Sequence, residues 1–360
     1  MKAKLIRMTE ENLNIPALEE AGEILKNGGL VGFPTETVYG LGGNALDPEA
    51  SRKIYAAKGR PSDNPLIIHI ADLEALPPIV REIPEKARIL AEACWPGPLT
   101  MIFPKADIVP YETTGGLDTV AVRLPSNEIA REMIRRAGGY VAAPSANVSG
   151  RPSPTTAEHV AEDLGERIEM IIDGGLVQIG LESTIVDCTE ETPMILRPGF
   201  LNQEKLEEIL GRVELDPGLL GETAHVRPKA PGMRYRHYAP KADLSIVEGD
   251  SEAVVSEIRR LSREYRQAGK KVGIICTDET RAHYTEGTVL SIGARAEEET
   301  IARHLYEVLR QFDETQVDVI FSESFHTPQM GMAIMNRLLK AAGHRVISAG
   351  SESEEKEWEQ

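Results

Sequence analysis

Residues 30–42, LVGFPTETVYGLG, join a short apolar segment to a run that is rich in glycine. The first part, LVGF, has the apolar and aromatic character of a buried strand, and glycine allows the chain to turn tightly after it. We therefore predict a strand that enters a glycine loop.

Short strands and helices are predicted on both sides of this segment. Asn14 marks the start of a preceding helix, Asp47 and Pro48 start a second helix that ends near Lys58, and Ser126 is expected to cap a later one. Further strands are expected at 65–70, 99–104, 119–125, 140–150 (entering a loop), 170–175 and in a hairpin at 183–199, and a further helix is expected at 84–94. Because these strands cannot all be parallel, we predict a mixed, twisted sheet with helices packed on it over residues 1–212.

The remaining residues differ in character. Residues 213–241 contain glycine and proline without apolar periodicity, which indicates a linker. Strand and helix patterns then alternate over 242–350, which is typical of a smaller, Rossmann-like α/β domain with a mostly parallel sheet. The acidic tail, 351–360, is expected to be frayed.

Composition limits the functions that the chain can have. The 360 residues are 41% hydrophobic but contain no apolar run of membrane-helix length and no apolar stretch at the N-terminus. Three widely spaced cysteines favour a reducing compartment, so we expect a cytoplasmic protein. The lack of a long apolar run argues against a membrane protein, and a net charge of −17 argues against stable nucleic-acid binding. Any site for phosphate must therefore be a local cluster of Lys and Arg.

Familiar nucleotide motifs do not account for the chain. It has no phosphate loop of the GxxxxGK[ST] type and no kinase, HExxH or GxSxG signature. Gly40, Gly42 and Ala45 spell GxGxxA, but the signals that start a helix come only afterwards, at Asp47. The nearest acid at a suitable distance, Asp63, lies in a basic loop. We therefore reject a dinucleotide-binding fingerprint.

Two pairs of polar residues suggest a phosphate site. Lys58 and Arg60 flank a glycine at the end of a helix. Together they suit phosphate, but cations are also favoured at the C-terminus of any helix, so the pair could equally lie on an ordinary solvated surface. Ser145 and Asn147 follow a strand in a loop of small residues, and could equally be a capped turn.

Other polar residues lie within or after apolar strands. Thr35, His69 and Ser183 are each consistent with an ordinary strand position, and Arg123 needs an anionic partner that is either a protein or a substrate carboxylate. None of these residues identifies a function by itself.

Their combination resembles a known family. The motifs follow one another in the order and spacing of the YrdC-like family over residues 12–210: PTETVYGLG (34–42), KGR (58–60), NPLIIH (64–69), WPGPLT (95–100), AVRLP (121–125), PSANVSG (144–150), ESTIVD (182–187) and LRPG (196–199). PGMRYRHYAP (231–240), followed by an α/β domain, is similar to the long, two-domain form of the threonylcarbamoyl-AMP synthases. The resemblance implies a YrdC-like first domain.

The resemblance also implies an activity. Such enzymes join L-threonine, bicarbonate or CO₂, and ATP into threonylcarbamoyl-AMP and pyrophosphate, and a separate transferase then modifies tRNA. We expect Mg²⁺ on the ATP phosphates, no metal held by protein side chains and no organic cofactor. The alternative is an RNA-binding or ribosome-maturation module.

Site roles follow from the same resemblance. The catalytic set that holds the phosphates would be Lys58, Arg60, Ser145 and Asn147. Further ATP contacts would come from Ser62, Thr119, Ser153, Arg197, Arg234, His237 and Tyr238. L-threonine would be bound by Thr35, His69, Arg123, Ala143 and Ser183, with Arg123 as the partner of its carboxylate. Because residues 231–240 are basic and aromatic in an acidic chain, we interpret them as an active-site lid instead of a passive spacer.

Overall fold

The computed structural model describes residues 2–220 and 238–350. They fall into two compact units that divide between His237 and Tyr238. Each unit has its own sheet and helices, and both are of the α/β class.

The described part of the first unit contains one mixed sheet. Its strands are β1 (Lys4–Arg7), β2 (Val31–Phe33), β3 (Gly40–Asn44), β4 (Ile67–His69), β5 (Leu99–Pro104), β6 (Thr119–Arg123), β7 (Val141–Ala143), β8 (Met170–Asp173), β9 (Thr184–Asp187), β10 (Met194–Arg197) and β11 (Glu214–Leu215). They are ordered β1-β8-β2-β3-β7-β4-β6-β5-β9-β10-β11. Parallel and antiparallel neighbours alternate irregularly, as between β4 and β6 (parallel) and β4 and β7 (antiparallel). The predicted mixed sheet is confirmed.

Helices cover both faces of this sheet. They are α1 (Ile15–Lys26), α2 (Pro48–Lys58), α3 (Glu85–Cys94), α4 (Glu128–Arg136), α5 (Ala157–Leu164) and α6 (Gln203–Leu210). Helices α1 and α4 pack in one core cluster with Val141 and Ala143, whereas α2, α3 and α5 share another with Ala142. Successive strand residues point to opposite faces, so the two clusters lie on opposite sides of β7.

The glycine segment differs from its prediction as a loop. Gly40 begins strand β3, which pairs antiparallel with both β2 and β7. A Cβ built on Gly40 would lie 2.9 Å from the Phe33 ring, and one on Gly43 would lie 2.9 Å from Ile54. The glycines are therefore required by close packing within the sheet and its covering helix, not by a turn.

Two predicted helix starts can be checked at their caps. Asn14 accepts a hydrogen bond from the Ala17 backbone N–H, as predicted. The predicted cap at Ser126 is wrong, because the side chain of Asn127 accepts the Ala130 N–H at 3.1 Å and α4 begins one residue later. Asparagine is as good a cap as serine, so the two adjacent residues could not be ranked from sequence.

The second unit is smaller, and the sheet in its described residues is wholly parallel. Its strands are β12 (Asp243–Glu248), β13 (Val272–Cys276), β14 (Thr288–Ser291), β15 (Val319–Glu323) and β16 (Val346–Ser348), and its helices are α7 (Ser251–Gln267), α8 (Glu298–Thr315) and α9 (Gly331–Ala342). The strand order is β14-β13-β15-β12-β16. The predicted small parallel α/β domain is confirmed.

The segment between the two predicted domains is partly described. Within the interval 213–241, Glu214–Leu215 forms β11 on the first sheet, and Pro217–Leu220 forms a 3₁₀ turn. The predicted tail, 351–360, lies outside the described residues. Among the helices of the described ranges, none has both the length and the apolar character needed to cross a bilayer.

Candidate active site

Lys58 meets the Ser145–Asn147 loop. It is the last residue of α2 and is only 2% exposed. Its ammonium nitrogen donates hydrogen bonds to the backbone carbonyl oxygens of Ser145 and Asn147. The Ser145 hydroxyl in turn donates to Asn147 Oδ1 at 2.6 Å. The fold therefore brings three of the four predicted phosphate-binding residues into contact.

Arg60 is directed by the residues on either side of it. Gly59 ends α2 in the left-handed region, at φ 61°, which turns the chain. Arg60 Nη2 then donates to the carbonyl oxygens of Asn64 and Pro65, at 3.2 and 3.0 Å. These bonds fix the guanidinium over the loop that leads into β4.

Strand register places four of the other predicted residues in rows on one face of the sheet. His69 of β4, Arg123 of β6 and Thr100 of β5 lie side by side. Two residues along the strands, about 7 Å away, Ile67 pairs with both Ala121 and Ala143. A polar row and an apolar row thus adjoin each other, and Thr119 lies one further step along β6.

The Arg123 guanidinium lies among buried groups of the PTET segment. Its Nη1 donates to Thr37 Oγ1 at 2.8 Å, and its Nη2 lies 2.7 Å from Glu36 Oε1. Thr35 and Thr37 share a hydrogen bond between their hydroxyls at 2.9 Å. Arg123 therefore has a protein carboxylate as its partner, which was one of the two alternatives that the sequence left open.

His69 is a neutral imidazole in this row. Burial, reinforced by the nearby positive charge of Arg123, lowers the pKa of His69 to about 3. Its Nδ1 lies 3.1 Å from the Ile67 carbonyl oxygen, so Nδ1 carries the proton and Nε2 is left as an acceptor. The ring also meets Phe33 edge to face. At neutral pH His69 can accept a hydrogen bond but adds no charge.

Ser183 is tied to two strands. Its hydroxyl lies 2.7 Å from the Thr100 hydroxyl and accepts from Arg197 Nη2 at 3.2 Å. Arg197 Nε also donates to the Ser183 carbonyl oxygen at 3.1 Å. The structure thus joins a residue predicted to bind threonine to one predicted to bind ATP.

The remaining predicted residues are placed as follows. Ser153 is buried and donates to Glu182 Oε1 at 2.6 Å. Ser62 is exposed in a turn, and Tyr238 is buried with its ring 5.1 Å from that of Tyr306 in the second unit. Arg234 and His237, with most of the predicted lid 231–240, lie outside the described residues.

Sequence reasoning missed several polar residues of this site. Glu36, Thr100 and Glu182 are buried and contact predicted site residues. Asn64 is also buried, and its Oδ1 has no hydrogen-bond donor among the described residues, although its backbone holds Arg60. Each lies inside a quoted motif, so a polar residue in an apolar context was the available signal.

Within residues 2–220 and 238–350, no group of three or more His, Cys, Asp or Glu side chains is arranged to hold a metal ion. The hydrogen-bond donors of the site are hydroxyls, amides and cationic groups, which suit anionic ligands.

Two family models match the chain in succession. Residues 23–199 match a family described as "Telomere recombination", whose model carries the YrdC name, and residues 201–343 match the C-terminal domain of threonylcarbamoyl-AMP synthase. The two matches follow the order of the two units.

Individual relatives are similar over most of their length. A threonylcarbamoyl-AMP synthase of Pyrococcus abyssi is 50% identical over 91% of this chain and 94% of the relative. One of Bacillus subtilis is 49% identical over 96% of this chain and its own full length. A crystal structure of P. abyssi Sua5 complexed with L-threonine superposes with a TM-score of 0.91 at 47% identity, covering 97% of this chain and 100% of that one. These matches confirm the resemblance of the motifs: the chain belongs to the threonylcarbamoyl-AMP synthase family.

Proposed function

We propose that this chain is an L-threonylcarbamoyl-AMP synthase that uses L-threonine, CO₂ or bicarbonate, and ATP. One observation carries the proposal: relatives with that name are about half identical over more than nine-tenths of the chain. The alternative of an RNA-binding or ribosome-maturation module is not favoured by these matches.

The reaction has two bond-forming steps. The threonine amine adds to CO₂ and releases a proton, which gives a carbamate. A carbamate oxygen then bonds to the α-phosphorus of ATP while the bond to the β-phosphate oxygen breaks and pyrophosphate leaves. By this chemistry the enzyme is a nucleotidyltransferase. Because carbamate, triphosphate and pyrophosphate are all anions, the transition state requires positive charge and hydrogen-bond donors.

The Lys58–Arg60 cluster supplies that charge locally. The chain as a whole carries −17 and would repel ATP at long range. Lys58, buried beside Ser145 and Asn147, is a cation in a medium where its interaction with phosphate is weakly screened. We assign it and Arg60 to the phosphates, with Ser145 and Asn147 as hydrogen-bonding partners, and Ser62, Thr119, Ser153 and Arg197 as further ATP contacts.

The polar row around Arg123 suits the amino acid. Arg123 offers donors for a carboxylate, and Ser183 and Thr35 offer hydroxyls for the threonine side chain. His69 and Ala143 complete this set. The apolar row beside it, Ile67 and Ala121, can accept the methyl group.

The remaining assignments concern the metal and the place of action. We assign Mg²⁺ to the ATP phosphates, because Mg²⁺ commonly binds through substrate phosphates and waters instead of a dedicated protein cage. The product would pass to a separate tRNA-modifying transferase. Three free cysteines, Cys94, Cys188 and Cys276, support a reducing, cytoplasmic location.

The direct test is incubation of the purified protein with ATP, L-threonine, bicarbonate and Mg²⁺. Release of pyrophosphate that depends on threonine, with threonylcarbamoyl-AMP identified by mass spectrometry, is the expected result. Pyrophosphate release without that adenylate, or equal release without threonine, would contradict the proposal.

A further inference from the structure

The Glu36 carboxylate forms an ion pair with Arg123 but has no aligned hydrogen-bond donor among the described residues. Its residue is 3% exposed, and both side-chain oxygens are buried without a hydrogen-bond donor among the described residues. Oε1 lies 2.7 Å from Arg123 Nη2, but the contact is not aligned as a hydrogen bond. The ion pair balances the charge of the carboxylate, but buried carboxylate oxygens without an aligned hydrogen bond are unfavourable unless another donor approaches them.

Arg123, the partner of Glu36, has donors without aligned acceptors. Its Nη1 donates to Thr37, whereas its Nε and Nη2 are buried without an aligned acceptor in the described part of the chain. The pair therefore presents unused donors and unused acceptors at one place. A ligand that carries both a carboxylate and an ammonium group would satisfy both.

Charge balance selects the same ligand. Glu36 and Arg123 together are neutral, and His69 beside them adds no charge because its pKa is lowered to about 3. A ligand with only a carboxylate would place two anions against one cation. A zwitterion adds one charge of each sign and keeps the buried site neutral.

The neighbouring cleft is acidic. Thr35 and Glu36 form part of the wall of a cleft of about 250 Å³, which Glu10 and Glu11 also line. Acidic walls favour the approach of an ammonium group and disfavour that of an anion.

We propose that Glu36 binds the α-ammonium group of the amino-acid substrate, while Arg123 binds its carboxylate. The inference rests on the proposed function, since it names the contact that reads the amino group of threonine. It concerns recognition of the amino acid before carbamate formation. A purely structural Glu36 that only orients Arg123 is the competing explanation.

Ligands that lack one charged group separate the two explanations. Calorimetry would compare L-threonine, L-threonine methyl ester, which keeps the amine, and 3-hydroxybutanoate, which lacks it. In the wild-type protein, loss of the amine should weaken binding about 30-fold or more, as for a removed partner of a buried charge. In Glu36→Gln, binding of threonine and of the ester should fall by a similar factor, whereas that of 3-hydroxybutanoate should change less than about threefold. Equal weakening of all three ligands would overturn the proposal.

Thermal melts of each variant would show whether a change in ligand binding comes from loss of folding. Glu323→Gln is the matched control, because Glu323 is 1% exposed and pairs with Arg295 in the second unit at 2.7 Å. It should lower the melting temperature and leave threonine binding unchanged. If Glu36→Gln does not fold, the wild-type comparison decides, and less than about a threefold effect of the amine overturns the proposal. Failure of the proposed function would appear separately, as amine-dependent threonine binding without adenylate formation.

Discussion

The hydroxyl oxygens of Thr100 and Ser183 lie 2.7 Å apart, and Thr100 is fully buried. Arg197 Nη2 can only donate, so Ser183 accepts from it. If Ser183 also donated to Thr100, the Thr100 proton would be buried without an acceptor among the described residues. Thr100 therefore donates to Ser183, and the proton of Ser183 is left to reach a ligand.

Removal of the Thr100 hydroxyl should weaken threonine binding. In Thr100→Val the Ser183 hydroxyl loses the donor that orients it, so the KM for threonine should rise about 3- to 10-fold with kcat little changed. Thr100→Ser keeps the hydroxyl and serves as the control. Steady-state pyrophosphate release would measure both. An unchanged KM in the valine variant would show that Thr100 does not orient Ser183.

Loss of either cation of the KGR segment should impair the chemical step. Lys58→Ala and Arg60→Ala should each lower adenylate formation by about 10²-fold or more, because charge that develops on the phosphates loses its partner. Lys53 is a control on the same helix, since its ammonium bonds the Gly28 carbonyl away from the Ser145 loop. Lys53→Ala should retain activity. Near wild-type turnover in both Lys58→Ala and Arg60→Ala would remove the phosphate role.

Much of the fold can be predicted from local sequence signals. These predictions are correct where a residue type has one common structural role. The Asp47 side chain accepts the Glu49 N–H at the start of α2, and Gly59 ends the helix in the left-handed conformation. Both ends of the helix therefore follow from the residue type alone. Helix α5 is absent from the prediction, since Pro152 and Pro154 just before it are typical of a loop. The strand at Gly40 depends on packing against Phe33, which no local pattern reveals.

The sequence predicts which residues form the site, but not which of their side chains contact one another. Arg123 in an apolar strand implies an anionic partner, but sequence alone cannot choose between Glu36 and a ligand. Nothing in the sequence marks Thr100 as a site residue, because threonine is common in strands. Its contact with Ser183 arises from the parallel pairing of β5 with β9, a relationship between residues 83 positions apart.

Substrate choice should follow from the hydroxyl and the methyl group of threonine. Serine lacks only the methyl, which is worth about 1–3 kcal/mol, so it should be a poor but detectable substrate. Valine lacks the hydroxyl that Ser183 and Thr35 would bond, and should be worse because the proton of the buried Ser183 hydroxyl would stay without an acceptor. Pyrophosphate release with each amino acid measures the order. Valine above serine would contradict the assignment of these hydroxyls.

Stability should depend on pH through His69. Burial and Arg123 lower its pKa to about 3, whereas it is about 6.5 in an unfolded chain. Between about pH 6.5 and 3 the unfolded state binds a proton that the folded state does not. The free energy of unfolding should therefore be level above about pH 6.5 and fall as the pH decreases from there towards 3. At about pH 5 the loss is about 2 kcal/mol relative to neutral pH. Denaturant unfolding of the wild type and of His69→Gln at about pH 7.5 and 5 would measure it. Since other groups titrate equally in both proteins, the wild type should lose more stability than the variant on acidification, and parallel losses would show that His69 is not held neutral by the fold.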